Sequence, residues 1–162
     1  MSQGETTRRL LVPVDFSAAS RTALHKGMEL ARVFDLEIVL MTVVDTTALA
    51  PIGAGPAVLE YGAASRRLRE EAQKALDGFV QEADPDRRWI KVATVEEGRP
   101  AQVIVKHARA LNPRAIVMGT RGRGGMQVVI GSVAERVVRE APCDVYIVHS
   151  SPVVERKPTE ED

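Results

Sequence analysis

The sequence has one cysteine, few aromatic residues, no excess of either charge and no long hydrophobic run. A single cysteine, Cys143, cannot form an internal disulfide, which suits a reducing compartment. Aromatic residues make up only 4% of the chain, too few for a surface that stacks single-stranded nucleic acid. Lys plus Arg and Asp plus Glu number 22 each, so the surface as a whole attracts neither nucleic acid nor an anionic membrane. We therefore expect no nucleic-acid or membrane partner, and any anion site must be local.

The N-terminal segment does not resemble a signal peptide. Residues 1–9 are polar and lack the apolar centre of a signal peptide. No apolar run approaches the ~20 residues that span a bilayer. The chain is therefore predicted to be cytoplasmic. Its 162 residues predict one domain over residues 1–150, followed by a charged tail over 151–162.

Short apolar runs alternate with helical patterns along the chain, which predicts an α/β fold. Strands are expected at 10–15, 37–44, 89–95, 115–118 and 143–149, and helices at 17–35, 63–83, 100–111 and 132–140. The nearly continuous apolar run from Glu37 to Val44 is typical of a parallel strand covered on both faces. The alternation predicts a three-layer, doubly wound, five-stranded parallel sheet with helices on both faces. The Ala-, Gly- and Pro-rich segment 46–62 has no clear period and is predicted to be a flexible loop.

The most informative local pattern is a glycine-rich segment after the fourth predicted strand. Residues 118–125 contain four glycines and lead through Gly131 to a predicted helix that begins at Ser132. Glycines allow sharp turns and close approach to a ligand, and a helix N-terminus favours phosphate. Arg121 and Arg123 add positive charge, so the segment predicts a phosphate-binding loop. The alternative is a plain turn, with Ser132 and Glu135 forming a capping box.

Several familiar functional patterns do not fit this sequence. There is no Walker-type phosphate loop, and the G-x-G that begins at Gly122 has Gln127 where a dinucleotide motif needs its third glycine. No serine or cysteine lies in a nucleophile motif that would pair with His25, His107 or His149. No spacing typical of a metal site occurs. We therefore assign no catalytic residue.

The glycine-rich segment resembles the signature of the universal stress protein family of the UspA kind, which is G-x-x-G, nine residues and then G-[ST]. Gly119 and Gly122 match the first pair, and Gly131 with Ser132 matches the last. The opening strand and turn over residues 12–17 and the end of the second predicted strand are also similar to the family. The resemblance covers roughly residues 8–149. The segment between Gly122 and Gly131 holds eight residues, one fewer than the family pattern.

The resemblance implies a Rossmann-like fold of the adenine-nucleotide α-hydrolase type, with ATP, and with it Mg²⁺, as the cofactor. It implies that Pro13, Val14, Asp15 and Val43 line the adenosine end of the site. Around the ribose and phosphates it implies the residues Met118, Gly119, Gly122, Gly131, Ser132 and Val133, with Arg121 and Arg123 beside them. It also implies a homodimer through the last strand. For Asp15 a structural role remains open, since an Asp before Phe16 and Ser17 can help to cap a helix.

Three functions remain open at this point. The first is an ATP-binding stress or signalling module, in which nucleotide stabilises one arrangement of the 46–62 and glycine-rich loops. The second is a slow ATP hydrolase in which Arg121 or Arg123 and a metal ion stabilise the transferred phosphate, although no residue is evident that would position the attacking water. The third is a dimeric interaction module without ATP, which the shortened loop keeps open. AMP or cAMP are alternative ligands, and the sequence does not identify a downstream protein partner.

Overall fold

The computed structural model describes residues 8–47, 56–120 and 130–149, with side chains in the second range from residue 60 onward. These residues form five strands and four helices in alternation. Their bounds are β1 Arg9–Pro13, α1 Ala18–Phe34, β2 Glu37–Val44, α2 Pro56–Ala83, β3 Ile90–Glu97, α3 Pro100–Leu111, β4 Ala115–Gly119, α4 Ser132–Glu140 and β5 Asp144–Val148. Within these ranges no helix is both long enough and apolar enough to cross a membrane.

The five strands form one parallel sheet in the order β3-β2-β1-β4-β5. In the centre, Leu10 of β1 lies opposite Ile38 of β2 on one side and Ala115 of β4 on the other. The chain winds outward from β1 to β3, then crosses back to β4 and continues to β5. The winding direction therefore reverses between β1 and β4, the place where open α/β sheets bind ligands, outside the carboxyl ends of the strands.

Both faces of the sheet are buried, which confirms the predicted three-layer, doubly wound fold. Leu10 and Val12 pack with residues of α1 and α2, whereas Leu11 between them packs with residues of α3 and α4. Successive residues of a strand point to opposite faces, so a strand covered on both sides needs apolar residues at consecutive positions. This requirement explains the run of buried residues from Ile38 to Met41 in β2.

Local signals set the ends of the first and third helices as predicted. Ser17 caps α1, because its Oγ accepts a hydrogen bond of 3.2 Å from the Ser20 N–H. Asp35 ends α1 in the left-handed conformation, and its N–H donates to the Ala31 carbonyl. Pro100 occupies the first turn of α3, where its missing N–H has no cost.

The predicted loop over residues 46–62 is wrong in its second part, because α2 begins at Pro56 rather than at residue 63. Proline is compatible with the first position of a helix, so Pro56 starts α2 instead of interrupting it. The added turns are held by contacts that are distant in sequence: the Tyr61 hydroxyl donates a 3.3 Å hydrogen bond to Thr46 Oγ1. Residues 48–55 of that predicted loop lie outside the described ranges. Elsewhere β3 extends to Glu97, and Gly119 belongs to β4.

Candidate functional site

The predicted site residues that the structure describes lie at the carboxyl ends of the strands. The Val14 N–H, just after β1, donates to the Met41 carbonyl at 2.8 Å, which ties this turn to β2. The Gly131 N–H donates to the Thr120 carbonyl at 2.7 Å, which ties the start of α4 to the end of β4. The following predicted residues therefore lie at the carboxyl ends of the strands: Pro13, Val14, Asp15, Val43, Met118, Gly119, Gly131, Ser132 and Val133. The other three, Arg121, Gly122 and Arg123, lie outside the described residues.

The turn after β1 is held by the carboxylate of Asp15. Its Oδ1 accepts hydrogen bonds from the Ser17 N–H at 3.1 Å and the Ser17 hydroxyl at 2.5 Å. Asp15 therefore does support the start of α1, as the structural alternative predicted. These bonds also fix the half-buried carboxylate at the edge of the sheet, so the capping role and a ligand contact are compatible.

Phe16, the residue after Asp15, has a strained backbone. Its φ is 64°, in the left-handed region that a bulky side chain seldom occupies. The Phe16 ring packs edge-on against Phe79 of α2, with ring centroids 5.7 Å apart. The Arg21 guanidinium lies 4.7 Å from the centre of the Phe79 ring and forms an ion pair of 2.7 Å with Glu82. This packing against α2 maintains the strained turn, and strain of this kind is concentrated at functional sites.

Gly119 at the end of β4 lets the strand approach α1 very closely. A Cβ atom at this position would lie 2.9 Å from the carbonyl carbon of Ala19 and 3.0 Å from its Cβ. Only glycine fits that distance without a shift of the helix backbone. The close approach brings the end of β4 beside the first turn of α1 and hence beside the Asp15 turn. Gly119 therefore has a packing role, whether or not it also contacts a ligand.

The first turn of α4 carries no side-chain cap among the described residues. Gly131 is the N-cap residue, with φ −65° and ψ 153°, and Ser132 is the first helical residue. The capping box of the structural alternative is therefore not formed, because Ser132 is the first helical residue rather than the cap, and the Glu135 carboxylate lies 3.9 Å from Arg139. The N–H groups of a first turn without a side-chain cap, together with the helix dipole, favour an anion.

Thr120, between β4 and the glycine-rich segment, is a residue that sequence reasoning missed. It is 2% exposed, and its hydroxyl oxygen has no hydrogen-bond partner in the described part of the chain. A signal for it existed in the sequence, since a polar residue directly after a buried strand and a glycine is unusual in a core.

The histidines and the cysteine are not brought together by the fold. His25 lies exposed on α1, His107 lies half-buried on α3, and His149 follows β5. Burial raises the pKa of the half-buried Cys143 thiol, and the negative charge of Asp144 acts in the same direction. A thiol with a raised pKa is a poor nucleophile. Within residues 8–47, 56–120 and 130–149, no cluster of three or more His, Cys, Asp or Glu side chains could hold a metal ion.

A second polar group lies at the carboxyl ends of β2 and β3, on the Val43 side of the site. The Ser65 hydroxyl donates to Glu97 Oε2 at 2.9 Å, and an Arg69 nitrogen lies 3.4 Å from Oε1. These contacts fasten α2 to β3. After β2, hydrogen bonds from the Thr47 hydroxyl and N–H lower the pKa of the exposed Asp45, and the charge of Arg99 contributes to this. Asp45 therefore carries its negative charge beside the predicted adenine end.

A cavity of about 280 Å³ lies at the opposite side of the sheet, at the amino-terminal ends of the strands. Its lining consists of apolar and aromatic residues with one residue of each charge: Leu10, Leu30, Phe34, Leu36, Arg114, Ala115, Asp144 and Tyr146. The Asp15 turn and the start of α4 lie at the other end of the strands. This cavity is therefore separate from the candidate site.

The comparisons with known proteins agree with this fold. The model of the universal stress protein family matches residues 6–149. A universal stress protein of Methanocaldococcus jannaschii is 35% identical over 144 residues, which cover 87% of this chain and 81% of that protein. The solved structure of UspA from Lactobacillus plantarum has a TM-score of 0.73 at 24% identity, covering 89% of this chain and 98% of that one. A solved universal stress protein in complex with cAMP has a TM-score of 0.60 at 19% identity, covering 91% and 100%. The chain belongs to the universal stress protein family.

Proposed function

We propose that this protein binds ATP and acts as a nucleotide-responsive stress or signalling module. The observation that carries the proposal is the first turn of α4, which has no side-chain cap within the described residues and lies beside the end of β4, where the winding of the sheet reverses. Its N–H groups favour phosphate, while the Asp15 carboxylate at the end of β1 suits the hydroxyl and amino donors of adenosine. A nucleotide that lies across the ends of β1 and β4 would meet both.

In this arrangement the two ends of the nucleotide have different partners. The adenosine end lies against Pro13, Val14, Asp15 and Val43. The ribose and phosphates lie against Met118, Gly119, Arg121, Gly122, Arg123, Gly131, Ser132 and Val133. Mg²⁺ would bind through the phosphate oxygens, since it commonly uses substrate phosphates with few protein ligands.

A nucleoside monophosphate is the second candidate ligand. The solved family member with cAMP supports it. A single phosphate needs only the first turn of α4, whereas the β- and γ-phosphates would extend toward the glycine-rich segment, which is one residue shorter than the family pattern. A test of the ligand therefore has to compare ATP, AMP and cAMP side by side.

We also propose that the protein is a homodimer through β5. This strand forms one edge of the sheet, and none of its five residues is fully buried although four of them are apolar. An unpaired apolar edge favours pairing with another strand. The other edge strand, β3, instead presents the exposed charged side chain of Lys91, which discourages such pairing.

The test is to identify nucleotide released from the purified, denatured protein by mass spectrometry, and then to titrate ATP, AMP and cAMP calorimetrically. Ser132→Ala removes only a hydroxyl, whereas Ser132→Pro also removes one first-turn N–H. Proline is compatible with the first helical position, so both variants should fold. We expect Ser132→Pro to bind about ten-fold more weakly than Ser132→Ala, as for loss of one hydrogen bond to a charged group.

Thermal unfolding of the ligand-free variants checks that α4 is intact. Nucleotide bound to the wild type, with the expected order of the two variants, supports phosphate binding at α4. Tighter binding of cAMP or AMP than of ATP would instead identify a nucleoside monophosphate as the ligand. The absence of any bound or titratable nucleotide would refute it and leave the interaction module.

A further inference from the structure

The Thr120 hydroxyl is a buried donor for which the described part of the chain offers no acceptor. The residue is 2% exposed, and its Oγ1 makes no hydrogen bond within the described residues. Leaving such a group unpaired costs free energy, and native proteins keep very few of them. One established reason for such an exception is a ligand that completes the bond when it binds.

The backbone of Thr120 fixes it between β5 and α4. Its N–H donates to the Val148 carbonyl at 3.1 Å, and its carbonyl accepts from the Gly131 N–H at 2.7 Å. Gly131 is the N-cap of α4, so Thr120 is one hydrogen bond away from the uncapped first turn. Both main-chain groups are thus occupied by protein partners, and only the hydroxyl remains.

The alternation of side chains along β4 indicates on which face of the sheet the Thr120 side chain lies. Ile116 and Met118 pack with α3 and α4, whereas the open side of Gly119 faces Ala19 of α1. Thr120 directly follows β4, and its N–H continues the β4–β5 hydrogen bonds by donating to the Val148 carbonyl, so the alternation places its side chain on the α3 and α4 side, where α4 also begins. The hydroxyl and the first-turn N–H groups of α4 then share one region, and all of them can act as donors.

We propose that Thr120 Oγ1 donates a hydrogen bond to a phosphate oxygen of the nucleotide bound at the start of α4. This inference rests on the proposed function. A phosphate has only acceptor atoms, and a hydrogen bond from a neutral hydroxyl to a charged oxygen is stronger than one between neutral groups. The β-branched side chain has restricted rotation, so the donor is already oriented before the ligand arrives.

The test compares Thr120→Val with Thr120→Ser in the full-length protein. Valine has the shape of threonine without the hydroxyl, and serine keeps the hydroxyl without the methyl group. We expect Thr120→Val to be at least as stable as the wild type without ligand, because an unpaired buried hydroxyl is removed. Its affinity for the nucleotide that the wild type binds, measured by calorimetry, should fall about ten-fold or more.

The serine variant provides the opposite pattern. Without ligand it should be less stable than the wild type, because a buried methyl group is lost, while its affinity stays within about three-fold. A purely structural hydroxyl, or one bonded to a buried water, would make Thr120→Val less stable with unchanged affinity, and that result would overturn the inference alone. A wild type that binds none of ATP, AMP or cAMP would overturn the proposed function and this inference together.

Discussion

At the scale of single residues, the candidate site depends on how closely β4 can approach α1. Gly119 makes that approach possible, and the bonds of Asp15 to Ser17 set the turn on the other side. Phe16 between them keeps a left-handed backbone because its ring is packed against Phe79. The geometry of the site is therefore built from packing as much as from polar groups.

This packing predicts that Gly119→Ala is destabilising. The new methyl group would lie 2.9 Å from a backbone atom of Ala19, and a helix backbone cannot move aside as a flexible side chain can. We expect a loss of about 1–3 kcal/mol in the free energy of unfolding, measured by urea denaturation. The shift of α1 should also weaken nucleotide binding.

Gly78→Ala is the matched control, because a Cβ there would have no atom within 4 Å. Gly78 lies inside α2, where alanine is favoured by up to about 1 kcal/mol, so this variant should be more stable than the wild type. Equal effects of the two substitutions would show that β4 and α1 are not in such close contact.

At the scale of whole elements, the helices and strands with signals close by in the sequence were predicted correctly, and those that depend on distant contacts were not. The helix α1 has its cap and its end signal within a few residues, and β2 has an uninterrupted apolar run, so both were predicted correctly. The start of α2 was missed because the turns before residue 63 depend on contacts that are distant in sequence, such as the hydrogen bond between Tyr61 and Thr46. A helix that depends on such contacts has little local signature.

The junction between α2 and β3 depends on one carboxylate, Asp84, which is 5% exposed. Its oxygens accept from the N–H groups of Arg88 at 2.9 Å and of Trp89 and Ile90 at 2.7 Å each. Burial alone would raise the pKa of Asp84, but these three donors and the charge of Lys91 outweigh it, so the pKa is lowered. Asp84 thus fixes where the helix ends and the strand begins.

Asp84→Asn should therefore destabilise the protein in a pH-dependent way. A carboxyl group whose pKa is lower in the folded state stabilises fully above its unfolded pKa of about 3.9, and that contribution is lost as the pH falls through the folded pKa. We expect a loss of about 1–3 kcal/mol at pH 7 that shrinks below about pH 4, measured by urea unfolding at several pH values. Asp86→Asn, in the exposed part of the same turn, should show little loss. A difference that is constant with pH would contradict this role for the Asp84 charge.

At the scale of the whole molecule, the sequence correctly predicted the layers and the parallel sheet, whereas the location of the site stays a prediction. Periodicity is sufficient for the layers, and the family signature pointed to the Asp15 turn and the start of α4. It did not show that the Thr120 hydroxyl lacks a hydrogen-bond partner within the described residues, because that is a property of the assembled core, although the position of a polar residue after a buried strand was visible. Nor did it show that Gly131 rather than Ser132 caps α4, since a one-residue shift of a helix start leaves the pattern almost unchanged.

Substitutions on the two edge strands, β5 and β3, can test how two chains form a dimer. Tyr146 on β5 is 49% exposed and Val92 on β3 is 48% exposed, so lysine at either position should be tolerated equally well by the folded monomer. If two chains pair through β5 about a two-fold axis, the same strand meets itself, and Tyr146→Lys places like charges close together. We expect light scattering after size-exclusion chromatography to give a dimer for the wild type and for Val92→Lys, and a shift toward monomer for Tyr146→Lys. Dissociation by Val92→Lys alone would place the interface on β3, and a monomeric wild type would remove the dimer from the proposal.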